Sequence, residues 1–451
     1  MTFNSLIFIF IFLPVFTLLY YLIPNTIIRN ILLILGSIVF YCWTSPEYIV
    51  LLLISVLFNY ASGCEIELLF RDGRNGLAKI ALITTIAVDV GILCFYKYFS
   101  NDLPLGISFY TFSVISYVAD IYLERSEAEF NPITAATYIL FFPKVVSGPI
   151  IQFKDMQQVI RERTIDRNNL LAGLHLFIIG LFKKVLVADI LGAAHSSIYA
   201  LDQMSGATAW LGMIYYSLQL YFDFSGYSDM AIGLAKIYGF KFDKNFDYPY
   251  TSASMSEFWR RWHISLGGWF RDYVYIPLGG NRCSSIKQFR NLAVVWLLTG
   301  IWHGSTLNYI FWGIYHGFFV IIEKFLIGDF IKKIPKPVMM VITSLIAFVG
   351  WIFFFNPTLG SSFGYIGKMF CADGIGFFDS VFVFYLLNYL VVLIVALLLS
   401  SGIVNKLHSK FAYSKNDTFT IVSTAAHIIL LLLCIAAMVA ATNTTFLYFK
   451  F

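Results

Sequence analysis

Asp379-Ser-Val-Phe-Val-Phe-Tyr-Leu-Leu-Asn-Tyr-Leu-Val-Val-Leu-Ile-Val-Ala-Leu-Leu-Leu-Ser400 is 22 residues long and carries no charge beyond its first residue. A bilayer hydrocarbon core of about 30 Å takes about 20 such residues as a helix. The stretch therefore reads as a membrane crossing. Similar apolar runs lie near 5–23, 30–43, 47–63, 78–97, 105–122, 170–190 and 208–224, in a broken region at 291–327, and at 338–356 and 421–441. The 451 residues are 59% hydrophobic, 18% aromatic and only 13% charged, with a mean hydropathy of +0.76. Soluble domains carry charge on about a quarter of their residues, so a soluble enzyme is excluded. The expected fold is an all-α polytopic membrane protein, one integrated domain of about 11 transmembrane helices with re-entrant and interfacial helices added.

Six scattered cysteines show neither CxxC pairing nor metal-ligand spacing and read as small hydrophobes. The run 5–23 lacks a basic flank and a small-residue cleavage site, so it is read as a span, with the mature chain starting near Met1. Sorting the 31 basic residues by alternate loops puts 25 on one side, Lys97, Lys368 and Lys450 on the other, and leaves Lys144, Lys183 and Lys184 ambiguous. The positive-inside rule then sets both termini outside the cytoplasm. Segment 236–290 holds nine Lys/Arg against four acids, a net of +5 that equals the charge of the whole chain. Two readings stand for this basic stretch: contact with anionic lipid headgroups, or a dock for a polyanionic donor. Nucleic acid is not among the expected partners. No internal repeat is visible, which argues against transporter folds built from repeated halves.

Three of the seven histidines, His263, His303 and His316, fall within 54 residues and are flanked by Trp, Tyr or Gly. Ionisable side chains at membrane depth mark function by default, and imidazole suits proton transfer near neutral pH. His303 ends an apolar run before Gly304, where a helix can break and present the ring as a general base; the alternative is a histidine hydrogen-bonded between packed helices. His316 reads as a satisfied packing residue. Ser256–Tyr275, too polar to span and rich in Trp and Tyr, reads as an interfacial helix with Trp259, Trp262 and His263 on one face. Asp223 and Asp229, beside Gly226 in an apolar neighbourhood, either orient an imidazole or pair with lysines such as Lys183 or Lys184. Segments 104–110 and 141–149 mix Pro, Gly and Ser with apolar residues, as re-entrant stretches do. Serine hydrolase, zincin and nucleotide-binding signatures are absent.

Taken as a set, Pro104–Phe112, Phe142–Pro149, Tyr221–Gly233, Phe258-Trp-Arg-Arg-Trp-His-Ile-Ser-Leu266, Phe270–Arg282 and Gly300-Ile-Trp-His-Gly304 resemble the membrane-bound O-acyltransferase family. Within it the likeness is to the bacterial branch of the alginate O-acetylation membrane protein, down to the terminal Phe446–Phe451; teichoic acid D-alanyl transfer proteins are similar at the Trp-Arg-Arg-Trp-His and Trp-His-Gly elements. The resemblance implies a catalytic His303, a second active-site polar residue at His263, and a central funnel or tunnel joining the two membrane faces. It also implies an acyl thioester co-substrate, either acetyl-coenzyme A or an acyl carrier protein, with no tightly bound cofactor and no metal. A polysaccharide acceptor and a separate extracytoplasmic acetyltransferase or hydrolase-like partner follow from the same likeness. Lys450 departs from the Gln often found there in relatives. Asp223, Asp229, Trp302, Arg260 and Arg261 stand as supporting residues. Competing readings are a proton-coupled transporter or flippase, D-alanyl transfer to teichoic acid, and a silent scaffold.

Overall fold

The computed structural model describes residues 1–406, 417–440 and 446–447, the side chains of 417–420 excepted, so Lys450 lies outside the described residues. Helix is the only regular structure among them. Among the described residues, seven helices are long and apolar enough to cross a membrane: Pro46–Arg71, Asn75–Tyr98, Arg167–Tyr199, Leu307–Ile331, Lys336–Phe355, Ser380–Ser400 and Ile421–Ala440. Phe8–Leu22 and Thr26–Cys42 are shorter apolar helices. Ser380–Ser400 and Ile421–Ala440 bury little of their apolar length inside the protein, which leaves their side chains for lipid. Ile107–Tyr122, read from sequence as a span, has 16 residues, of which all but the last are buried. Its apolarity serves packing within the protein, a use that composition alone does not separate from facing lipid.

The chain divides into two compact units, Met1–Leu181 with Tyr227–Lys244 and Ala441–Phe451, and Phe182–Gly226 with Asn245–Ala440. In the first, the two segments read as re-entrant meet backbone to backbone. Gly106 caps Ile107–Tyr122 at φ +73°, and a Cβ there would fall 2.5 Å from the Val145 carbonyl oxygen. Only glycine fits both the left-handed turn and the contact. Residues 141–150 are all buried, and their irregular backbone finds partners inside the protein: Phe142 N–H donates to Ser37 Oγ at 3.0 Å and Lys144 N–H to the Phe141 carbonyl at 2.9 Å.

In the second unit the broken region 291–327 is two helices, Ser285–His303 and Leu307–Ile322, which pack against each other closely. A Cβ on Gly313 would sit 2.5 Å from the Trp296 carbonyl oxygen and 3.0 Å from Gly300 Cα. Small residues let the two backbones approach, as is usual where helices associate in lipid. Segment 256–275 differs from the single interfacial helix expected. Met255–Arg261 and Ile264–Phe270 are separate helices, and the break falls on His263, at φ +46° and ψ +56°. Trp259, Trp262 and His263 therefore do not share one helical face; the spacing argument fails because the backbone turns left-handed between them.

Candidate active site

His303 is the last residue of Ser285–His303. The helix stops there because Gly304 is extended and carries no side chain: a Cβ on it would lie 2.2 Å from the Tyr309 ring. The imidazole is 3% exposed and packs on Trp302, Trp312 and Phe354, with centroids 4.7, 4.8 and 5.1 Å away. Trp302, singled out from sequence, is thus a wall of the His303 site.

His263 is also 3% exposed, with Phe224 and Phe246 at 4.7 and 6.4 Å. Its left-handed backbone is tied down from Asn245. The Asn245 carbonyl accepts Ile264 N–H at 2.9 Å, and its side-chain Oδ1 accepts Ser265 N–H and Oγ–H, both at 3.0 Å. This carboxamide caps Ile264–Phe270, because the residue at the capping position, His263, supplies no cap of its own. His263 Nδ1 lies 3.3 Å from the same Oδ1. An amide oxygen only accepts, so Nδ1 holds the proton and Nε2 presents a lone pair. Burial lowers the His263 pKa to about 3, so the ring is neutral at ordinary pH.

A run of rings links the two histidines. From His303 it passes to Trp312 at 4.8 Å, Trp351 at 5.8 Å, Trp262 at 4.8 Å, Phe246 at 5.2 Å and His263 at 6.4 Å. His316 packs against the same body, at 4.9 Å from Trp259 and 5.0 Å from Trp312. It is a packing residue as expected but not a satisfied one: neither ring nitrogen has a hydrogen-bond partner among the described residues. The indole nitrogens of Trp259, Trp312 and Trp351 are buried in the same condition. An unmet buried donor costs about 1–3 kcal/mol, so a cluster of them calls for a use.

The remaining residues separate. Arg261 pairs with Glu257 at 2.6 Å and donates to Thr251 Oγ1 at 2.9 Å, while its carbonyl accepts Asp247 N–H at 2.9 Å. It braces the 245–251 segment that carries Asn245. Arg260, on the same short helix, is exposed. Glu323 caps that helix from Leu307–Ile331, accepting Met255 N–H at 2.7 Å. Asp223 bonds Lys184 Nζ at 2.7 Å, and the same ammonium holds Asp189 at 2.7 Å. Of the two readings open for Asp223, the structure displays the lysine pair, with Phe224 next to it on His263. Asp229 is half-buried and falls in the first unit. Among the described residues no three His, Cys, Asp or Glu side chains gather as a metal-ligand set. Asn245, Trp312 and Trp351 were not legible as site residues. Asn245 stands in a polar stretch with no motif around it, and the two tryptophans looked like any other membrane aromatics.

Residues 123–358 match the family model of MBOAT, the membrane-bound O-acyltransferase family. The chain is 42% identical over 376 residues to the probable alginate O-acetylase AlgI of Pseudomonas aeruginosa, covering 78% of this chain and 72% of that one. It is 33% identical over 428 residues to the peptidoglycan O-acetyltransferase of Helicobacter pylori, covering 83% and 80%. A teichoic acid D-alanyltransferase of Streptococcus thermophilus is 33% identical over 238 residues, covering 49% and 56%. With a multi-pass helical body and buried histidines in these motifs, the chain is an acyltransferase and belongs to the membrane-bound O-acyltransferase family.

Proposed function

We propose that the protein is an O-acetyltransferase of the bacterial inner membrane. It takes an acetyl group from a cytoplasmic thioester, coenzyme A or a carrier protein, and passes it to an extracytoplasmic polysaccharide or to a partner enzyme that modifies one. The topology belonging to this reading has about eleven crossings with both termini outside the cytoplasm, around a funnel reaching the imidazoles from both faces. The basic segment 236–290 then meets the donor. The observation that carries the reading is His303, a buried imidazole at a helix end inside an aromatic shell, in a chain that matches proteins named for O-acetylation over more than three-quarters of its length. The likeness to D-alanyltransferases covers about half of the chain, which favours acetyl over D-alanyl transfer.

In this reaction His303 removes the proton of the acceptor hydroxyl as the oxygen attacks the thioester carbonyl, help worth about 10²–10⁴-fold. His263 aligns a substrate through Nε2. Its proton sits on Nδ1 facing Asn245, which supports an accepting role over donation to the carbonyl oxygen. Arg261 and the Lys184–Asp223 pair hold these parts in place. The test is His303→Ala in detergent-purified protein, with free thiol released from acetyl-coenzyme A as the readout. The expected result is a folded protein without transfer; a folded mutant with near wild-type transfer removes His303 as the base.

A further inference from the structure

We infer that Trp312 is a catalytic residue, its indole N–H donating to the oxyanion that forms when the acceptor attacks the thioester. The inference rests on the reading of His303 as the base and adds the electrostatic half of the reaction. Acyl transfer builds negative charge on the former carbonyl oxygen, and a fixed donor aimed there is commonly the largest single contribution to rate.

Three observations carry it. First, the ring of Trp312 packs on His303 at 4.8 Å and nearly at right angles, 81°. Its ring is therefore part of the shell around the imidazole that takes the acceptor's proton. Second, Trp312 is 1% exposed and its indole nitrogen has no hydrogen-bond partner among the described residues. A donor kept dry and unspent in the resting enzyme is available to a charge that exists only during reaction, which is the condition for lowering a barrier without tightening substrate binding. Third, the indole is held on several sides: Trp259 at 5.5 Å, Trp351 at 5.8 Å, Phe354 at 5.0 Å and His316 at 5.0 Å. A ring so packed pays no reorganisation when the charge appears. His263, the other obvious donor, has its proton on the Nδ1 that faces Asn245, so its Nε2 brings no hydrogen to the oxygen.

The step balances without a further reagent. His303 takes the hydroxyl proton, the acceptor oxygen bonds to the carbonyl carbon, and the π pair moves onto the carbonyl oxygen, where Trp312 N–H meets it. The pair then returns, the C–S bond breaks, and the thiolate leaves with the proton from the imidazolium. Ester and thiol are the products.

The experiment compares Trp312→Phe, His303→Ala and Phe354→Leu in the purified full chain. Thiol release from acetyl-coenzyme A is followed with the cell's own envelope polysaccharide fraction as acceptor, and each variant is checked for an unchanged elution profile. Trp312→Phe keeps a ring and loses the donor. Its kcat is expected to fall about 10²–10³-fold with the donor KM within about twofold, a split that uniform binding does not produce. An inactive His303→Ala beside a Trp312→Phe enzyme with kcat close to the parent overturns the Trp312 assignment and leaves the base. A His303→Ala enzyme that still transfers overturns the base reading itself. Phe354→Leu loosens the same shell without touching a donor; a kcat loss in it as large as in Trp312→Phe assigns the effect to packing and overturns the inference. If Trp312→Phe does not elute as a folded protein, Trp312→Gln takes its place, retaining an N–H donor and expected to keep more kcat than Trp312→Leu; equal rates in those two overturn the donor.

Discussion

Replacing Lys184 by Met removes the cation from a buried cluster while nearly preserving side-chain volume. The ammonium lies 2.7 Å from Asp223 and 2.7 Å from Asp189; Lys184 and Asp223 are 2% exposed and Asp189 is 20% exposed. Removing one partner of a buried pair costs about 3–5 kcal/mol. Two acids lose their shared cation in this variant, which raises the cost, but Asp189 retains a fifth of its surface to draw water, which lowers it. The expected loss is about 4 kcal/mol, close to a thousandfold in the folding equilibrium at about 1.4 kcal/mol per tenfold. Asp223→Asn leaves the Lys184–Asp189 contact in place and costs less, about 1.5–3 kcal/mol. The double variant strands fewer charges, so its loss is smaller than the sum of the two. The assay is heat resistance in detergent, scored as the monodisperse fraction after graded heating, with acyl transfer measured on the survivors because Phe224, beside Asp223, packs on His263. A Lys184→Met protein as resistant as the parent refutes the reasoning, as does a double variant weaker than Lys184→Met alone.

Three further outcomes follow from the site. Asn245→Ala removes the cap of Ile264–Phe270 and the partner of His263, costing about 0.5–2 kcal/mol and lowering transfer in protein that still elutes normally; unchanged transfer would count against Asn245 as the residue that sets the ring. His263→Asn keeps a side chain that tolerates a left-handed backbone and removes the buried imidazole. In the parent that ring's pKa is lowered to about 3, so the unfolded chain, near its ordinary value of about 6.5, takes up the proton first. The parent's stability is therefore whole above about pH 6.5 and falls as the pH drops toward 3. Melting curves between about pH 7 and pH 4 should be flatter for His263→Asn, and parallel curves would contradict the burial argument. Gly313→Ala drives a methyl onto the Trp296 carbonyl and Gly300, costing about 1–3 kcal/mol and disturbing the helix that ends in His303; normal melting and transfer together would show that the contact is not tight.

What could be read from the chain was whatever depends on residues close in sequence. The Trp-His-Gly run announces both a titratable ring and the glycine that ends its helix, although the reason for the glycine, the Tyr309 ring, is visible only in three dimensions. The membrane character of Ser380–Ser400 is equally local. Legibility fails where distant residues decide. The left-handed turn at His263 is held by Asn245, 18 positions upstream, so a continuous helix over 256–275 was the natural reading and was wrong. Ile107–Tyr122 has the apolarity of a lipid-facing helix and a different use. Lys184 resisted assignment to either side of the membrane because its place is set by Asp189 and Asp223, not by a water-filled loop.

His263 and His303 each leave 3% of their surface open. Such closure has a metabolic meaning. Water is the most abundant rival nucleophile in a cell, and an activated acyl group beside a basic ring would be squandered if water reached it freely. On the proposed reading of His303 as the base at the end of a funnel, the close aromatic packing around both rings keeps stray water from the acyl group, ties donor consumption to the arrival of an alcohol and guards the cell against idle turnover.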